Sequence, residues 1–331
     1  MKNTDTEFSG ILNIYKPVGI TSFSVISRLR KIFGMKKIGH CGTLDPFACG
    51  VLPVCIGKST RVIQYMDDSS KSYKCVFLFG VSTDTQDCEG EIIGGEFPSD
   101  DVLIKFKETN YEALRKLILG FTGDIQQIPP MYSAVKIKGK PLYRYARDGE
   151  ILEREARPVM IKDIQIKSFF VKKPDFFAYP ESLHAEIIVH CSKGTYIRTL
   201  CHDIGELSGY GACAIELERL SSGIFNLNDS HTLEEVEVLH KNGEISKILL
   251  SESDMLAHIP ELPVTEKEAK RLTVGQRLPF SDIAERINTL FPDGDYEGKQ
   301  TRAIEDGKLI AILTLCRKDS VLSMKIERVF A

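Results

Sequence analysis

Between Gly39 and Gly57 the chain passes four glycines and two prolines with mainly apolar residues between them. Glycine and proline at that density disfavour a helix, and the apolar filling disfavours a solvated linker, so irregular backbone packed against a core is expected. Any fold the chain adopts must supply regular elements that hold this segment. Inside it stands one carboxylate, Asp45. Pro46 biases Asp45 away from helical geometry, so its side chain is presented by a shaped turn.

The flanking pattern supplies such elements. Ile11 to Tyr15 reads as a short strand ended by Lys16-Pro17-Val18-Gly19, and Thr21-Ser22 opens an amphipathic helix carrying Val25, Ile26, Leu29 and Ile32, closed by Gly34. Lys58 to Tyr65 resumes a helical pattern. Alternation predicts a strand from Tyr73 to Phe79, with Tyr73, Cys75, Phe77 and Phe79 on one face and Lys74, Val76 and Leu78 on the other. Tyr111 to Leu119 is predicted as a helix stopped by Gly120. From Asp124 to Ile151 periodicity lapses into a basic, aromatic stretch too long for a plain connection. A strand from Leu183 to Cys191 then turns through Ser192-Lys193-Gly194 into a helix bearing Ile197, Leu200, Cys201, Ile204 and Leu207. Lys172 to Ser182 is longer and more polar than a minimal connection requires. Pro260 and Pro263 mark a boundary. Beyond it a helix from Thr265 to Leu272 and β-like runs at Leu309–Leu315 and Val321–Val329 predict a small β-rich unit.

With 43% apolar and 27% charged residues over 331 positions, the chain has the composition of a soluble protein. No stretch approaches the roughly 18 consecutive apolar residues of a membrane span, and Met1 to Gly10 is polar and acidic, so a cytoplasmic location without membrane attachment is expected. Nine cysteines without a C-x-x-C pair suggest neither a disulfide framework nor a zinc site. Cys41, Cys49 and Cys55 read as small buried hydrophobes, and no metal is expected.

The net charge of −3 conceals segregation. Ile11 to Arg61 holds eight basic residues, Lys16, Arg28, Arg30, Lys31, Lys36, Lys37, Lys58 and Arg61, against Asp45 alone. Lys136, Lys138, Lys140, Arg144 and Arg147 form a second basic run interleaved with Tyr143 and Tyr145, while acids gather at Glu234, Glu235, Glu237, Glu252 and Asp254. This fits a polyanion-binding face opposite an acidic one, although two ordinary solvated surfaces would look the same. A carboxylate among cations is expected to be ionised, as nucleophilic attack on a sugar or an electron-poor base would need. On the residues alone a turn or cap role for Asp45 fits as well, because aspartate is common in turns. Gly57-Lys58-Ser59 is no phosphate loop, since G-x-x-x-x-G-K requires glycine where Leu52 stands.

Gly39-His40-Cys41-Gly42-Thr43-Leu44-Asp45-Pro46, followed by Gly50-Val51-Leu52-Pro53-Val54-Cys55-Ile56-Gly57-Lys58-Ser59-Thr60-Arg61, resembles the signature of the TruB family of tRNA pseudouridine synthases. Asn13 to Ser22, Lys71-Ser72-Tyr73-Lys74, Gly80 to Asp87, Gln127 to Lys136 with Tyr145-Ala146-Arg147 and Arg154 to Pro158, and Cys191 to Leu200 resemble further motifs of that family in the same order. The resemblance spans about Ile11 to Gly223.

It implies an α+β fold with a mixed, mainly antiparallel central sheet and flanking helices. A catalytic domain would span 1–258, with an RNA-gripping insertion at about 124–157, and 259–331 would form a small β-rich PUA-like domain. It implies isomerisation of the uridine at position 55 of the tRNA T-arm loop by base flipping, with no cofactor and no obligatory protein partner, and allows an additional tRNA-folding role. Asp45 would be the catalytic carboxylate, Tyr73 the aromatic that stacks on the base and handles a proton, and Arg198 the cation paired with Asp45. His40 would fill the stack vacated by the extruded base, Leu200 would line the pocket, and Lys16 and Pro17 would support it. Tyr196 and the basic residues Lys136, Lys138, Lys140, Arg144 and Arg147 would meet the RNA. Two other readings compete: a guide-dependent relative of the dyskerin type, against which the basic insertion argues, and a non-catalytic RNA-binding protein, against which Asp45, Tyr73 and Arg198 together argue.

Overall fold

The computed structural model describes residues 8–66, 70–174, 181–318 and 321–330. The predicted stretch Lys172 to Ser182 falls largely outside these residues.

Strand β1 is Gly10–Lys16 and helix α1 is Ser22–Phe33. Thr21 caps the helix, its hydroxyl accepting the Ser24 N–H at 3.0 Å, a contact of the kind that contributes about 1 kcal/mol. Gly34 ends it in the left-handed conformation at φ 63°. Val25, Ile26 and Leu29 are buried, as their spacing predicts. Strand β2 is Ile38–His40 and β3 is Cys49–Ile56.

Here the structure corrects the sequence reading. Only residues 41–48 are irregular, and Cys49–Ile56 is a strand buried along nearly its whole length. A continuous apolar run is what a strand covered on both faces carries. Pro53 offers no N–H to the ladder, but its carbonyl still accepts from Cys41 at 2.8 Å. The helical pattern expected from Lys58 to Tyr65 is two short 3-10 turns, Gly57–Arg61 and Ile63–Tyr65.

Strand β4 is Ser70–Phe79. Tyr73, Cys75, Phe77 and Phe79 enter the main core, and Val76 and Leu78 enter a second cluster on the opposite face, as the alternation requires. A small hairpin, β5 (Ser82–Thr83) and β6 (Ile92–Gly94), leads to helices α2 (Asp100–Glu108) and α3 (Glu112–Leu119). Strand β7, Gly123–Gln127, pairs with the start of β10, Arg157–Lys172. The excursion from the sheet therefore runs from 128 to 156 and carries a hairpin, β8 (Lys136–Ile137) and β9 (Lys140–Pro141), and helix α4 (Leu142–Arg147). Strand β11 is Ser182–Ser192, α5 is Ile197–Ser208, β12 is Ala212–Ser222, β13 is Phe225–Asn226, α6 is Leu233–Lys241 and α7 is Glu252–Met255. Leu207, read as part of the apolar face of α5, is 70% exposed, because the buried stripe runs through Ile197, Leu200, Cys201 and Ile204.

Among the described residues the main sheet has the order β1-β3-β12-β4-β11-β10-β7, with β2 added on β3 and β13 on β12. Every pairing is antiparallel except β3 with β12, which join in parallel at Gly50 and Arg219. The expected mixed, mainly antiparallel α+β architecture is thus present.

A separate four-stranded sheet follows: β14 (Glu261–Pro263), β15 (Gln300–Glu305), β16 (Lys308–Lys318) and β17 (Val321–Val329). Helices α8 (Glu266–Thr273) and α9 (Phe280–Leu290) close its core through Leu272, Ile283 and Ile287, which pack with Ala303, Leu313 and Leu315. Ile312 and Phe330 share a buried cluster with Ile11, Val51 and Cys55, so an apolar seam joins this unit to the back of β1 and β3.

The charge segregation is less clean in space than in sequence. Arg28 of the first basic run pairs with Glu234 at 2.7 Å and lies 3.8 Å from Glu237 of the acidic group. Lys16 is buried. Among the described residues no helix is long and apolar enough to cross a membrane.

Candidate active site

The loop 41–48 is fixed from the helix that precedes it. Ser22, on the first turn of α1, accepts the N–H of Leu44 and donates to the Leu44 carbonyl, both at 2.9 Å. The Pro46 carbonyl accepts from the Gly19 N–H at 2.9 Å. Lys16 donates to the carbonyls of Pro17 and Ile20 at 2.8 Å each and to that of Pro46 at 3.4 Å. Burial pulls its pKa down to about 8, yet it remains mostly protonated at neutral pH, and the carbonyl dipoles solvate its charge. Asp45 is thus clamped through both neighbours while its own carboxylate stays one-third exposed. Pro17 is exposed and enters only through its carbonyl.

Arg198, at the start of α5, is buried and reaches Asp45 from the other side, Nε to Oδ2 at 2.9 Å. Its Nη1 donates to Asp87 Oδ2 at 3.0 Å and to the Thr85 carbonyl at 2.6 Å, and its Nη2 to the Tyr132 carbonyl at 2.9 Å. Asp87 is itself buried and accepts from the Thr85 hydroxyl at 2.6 Å and the Glu89 N–H at 3.0 Å. Desolvation raises its pKa, with the Arg198 charge opposing that rise. A planar guanidinium held on three sides has one direction left, and it points at Asp45.

Tyr73 is buried beneath the loop, and burial raises the pKa of its phenol. His40, on β2, has its pKa depressed first by burial and then by the charge of Arg219, so the ring is neutral at physiological pH. Tyr196 precedes α5, and the Gln127 side chain both accepts from its N–H at 2.8 Å and donates to its carbonyl at 2.9 Å. Burial raises the Tyr196 phenol as well. Leu200 is fully buried in the main core one turn along α5.

Lys136, Lys138, Arg144 and Arg147 are exposed. Lys138 and Gly139 turn the hairpin with φ of 50° and 81°, the paired positive values of a tight two-residue turn. Lys140 is held by Asp148 at 2.5 Å, with its ammonium 4.2 Å from the Tyr145 ring centre.

A cleft of about 460 Å³ adjoins the loop at Phe47, within the size range of small-ligand pockets. Glu89, Glu216 and Glu218 line it with Lys74 as the one cation, a net negative charge that disfavours phosphate, so this cleft is not the place where a polyanion backbone would lie.

Sequence reasoning named Asp45, Tyr73, Arg198, His40, Lys16 and Tyr196, and these gather around one loop. It missed Asp87, Ser22, Gln127 and Arg219 as contributors. Asp87, Ser22 and Gln127 lie within the family motifs, but nothing local to any of them signals a partner far away in the chain.

The model of the N-terminal domain of the TruB family pseudouridylate synthases matches residues 30–197, and that of the tRNA pseudouridylate synthase B C-terminal domain matches 198–256. Family and fold are those of an RNA pseudouridine synthase, an isomerase. The chain is 38% identical over 304 residues to tRNA pseudouridine synthase B of Geobacter sulfurreducens, covering 92% of each chain. It is 40% identical over 311 residues to that of Clostridium novyi, covering 92% of this chain and 99% of the relative. Among solved structures it resembles a Cbf5-Nop10-Gar1 complex with a TM-score of 0.68 and 25% identity, covering 97% of this chain and 85% of that one. The chain belongs to the TruB family.

Proposed function

We propose that the chain converts the uridine at position 55 of the tRNA T-arm loop to pseudouridine, with Asp45 as the catalytic carboxylate. The observation that carries this reading is the Arg198–Asp45 pair at 2.9 Å, in which a buried cation on α5 orients the partly exposed acid of the loop. The reaction breaks the N1–C1′ bond, turns the base and forms C5–C1′ with no change of oxidation state. Asp45 serves the glycosidic step, and Tyr73 stacks on the turned base and receives the C5 proton.

The target base lies inside folded RNA and must be flipped out, at a cost of a few kcal/mol. Neutral His40 occupies the vacated stack, and the exposed basic side chains of the excursion meet phosphates, which offsets part of that cost. The β-rich C-terminal unit is read as a PUA-like RNA-binding module. Identity near 40% over most of the chain to named tRNA pseudouridine synthases, against 25% to the Cbf5 chain, favours a stand-alone enzyme over a guide-dependent one.

Incubation of the purified protein with unmodified tRNA transcript and no guide RNA, followed by mapping of pseudouridine along the transcript, tests this. Modification at the T-arm uridine is expected. Product confined to positions outside the T-arm, or dependence on an added guide, would reject the assignment.

A further inference from the structure

Arg219 is 1% exposed and is among the largest wholly buried side chains in the protein. It lies on β12 directly opposite Tyr73 of β4 and in parallel register with Gly50 of β3. Its Nε donates to the Val51 carbonyl at 2.6 Å and its Nη2 to the Gly42 carbonyl at 3.4 Å. Val51 follows the catalytic loop and Gly42 lies near its start, so one guanidinium grips both ends of the segment that presents Asp45. Gly50 permits the close parallel approach of β12 to β3 at this point: a Cβ there would fall 2.3 Å from the Arg219 carbonyl oxygen.

Among the described residues no carboxylate lies within ion-pair distance of Arg219. A buried cation without an anion is costly to keep, and carbonyl dipoles offset only part of the loss of hydration. Its field falls on the groups packed against it. Burial raises the Tyr73 phenol above its ordinary value, and of the groups that face it, Arg219 from β12, Cys191 from β11 and Asp45 from the loop, the guanidinium alone opposes that rise.

We propose that Arg219 is a positioning residue for the reaction, serving as counter-cation to the Tyr73 phenolate and as the tie that sets the Asp45 loop against it. This rests on the reading of Tyr73 as acceptor of the C5 proton. In that step the phenolate oxygen takes the proton from C5, the C–H electron pair restores the C5–C6 double bond, N1 gains a proton from water, and Tyr73 later returns its proton to water. The hydrogen count is unchanged.

The test is the pH dependence of the single-turnover rate on tRNA for wild type, Arg219→Gln and Arg219→Lys. Gln can keep the bond to Val51 but removes the charge. It should lower the rate at neutral pH by at least about tenfold and move the rising limb of the profile to higher pH by about one unit or more. Lys keeps the charge without the planar two-sided grip and should move the limb less. Incorporating 3-fluorotyrosine at position 73, which makes the phenol more acidic, should move the Arg219→Gln limb back toward wild type. An unshifted limb in the better folded of the two variants, with the rate depressed equally at every pH, would make Arg219 purely structural and overturn the proposal. Tyr73→Phe separates the two readings: substantial turnover by that variant would remove Tyr73 from the chemistry, whereas an inactive Tyr73→Phe with an unshifted Arg219 limb would sink only this inference.

Discussion

Asp87 holds Arg198 from behind, its Oδ2 accepting Nη1 at 3.0 Å, and so leaves Nε free for Asp45. The two acids share one cation but differ in setting, since Asp87 is buried and Asp45 opens to solvent. Asp87→Asn would place an amide NH2 where an oxygen now accepts, or lose the charge that fixes Arg198. The single-turnover rate should fall by at least about tenfold, roughly 1.4 kcal/mol, with tRNA affinity little changed. A filter-binding isotherm beside a single-turnover time course checks both parts.

Asp45→Asn should abolish turnover while leaving tRNA affinity within about tenfold, roughly 1.4 kcal/mol, because the carboxylate is lost and the phosphate contacts remain. Product formation near the wild-type rate would overturn the catalytic assignment.

Arg198→Lys should be severely impaired although the charge is kept. Arg198 serves Asp45, Asp87 and the carbonyls of Thr85 and Tyr132 from one plane, which an ammonium cannot reproduce. Comparison of kcat for Lys and wild type decides the point, and comparable values would show that the planar grip is unnecessary.

Replacing Lys136, Lys138 and Lys140 by Ala should weaken tRNA binding with largely preserved turnover at saturating substrate. Stability should change by no more than about 0.5 kcal/mol per site. Each lost phosphate contact flattens the slope of log affinity on log salt by roughly 0.7 to 0.9. Lys140 is already neutralised by Asp148, so the triple variant should lose about 1.4 to 1.8, the equivalent of two contacts. Binding measured at several salt concentrations gives the slope. An unchanged slope would mean that these lysines face solvent in the complex.

The C-terminal unit carries an acid-sensitive tie. Arg286 grips Glu268 with two bonds, at 2.6 Å and 3.0 Å, and holds its carboxyl at a pKa of about 2. A carboxyl pKa depressed by folding stabilises the fold above the unfolded value and ceases to do so as pH falls through the folded one. Glu268→Gln should therefore lower the stability of this unit at neutral pH, and the difference from wild type should fade between about pH 4.5 and about pH 2. Thermal unfolding of both proteins across that range measures it, and a difference independent of pH would show that the ion pair contributes nothing.

Local physics made much of this protein legible. The alternation from Tyr73 to Phe79 determined which face of β4 meets the main core, because a strand offers only two faces. Thr21 and Gly34 marked the ends of α1 because cap chemistry is local. Asp45 was conspicuous as the one acid in a basic, glycine-bracketed stretch, and the motif order around it carried the family. Tertiary structure decided what depends on distant partners. It turned Cys49–Ile56 into a strand, since burial on both faces outweighed glycine and proline content. It paired Arg28 with Glu234 and so joined two charge groups that looked separate in sequence. It also brought Asp87 to Arg198 and Arg219 to Gly42 and Val51, contacts that arise only once the sheet sets its strands side by side. A buried charge is defined by what surrounds it, and that is known only when the chain has folded.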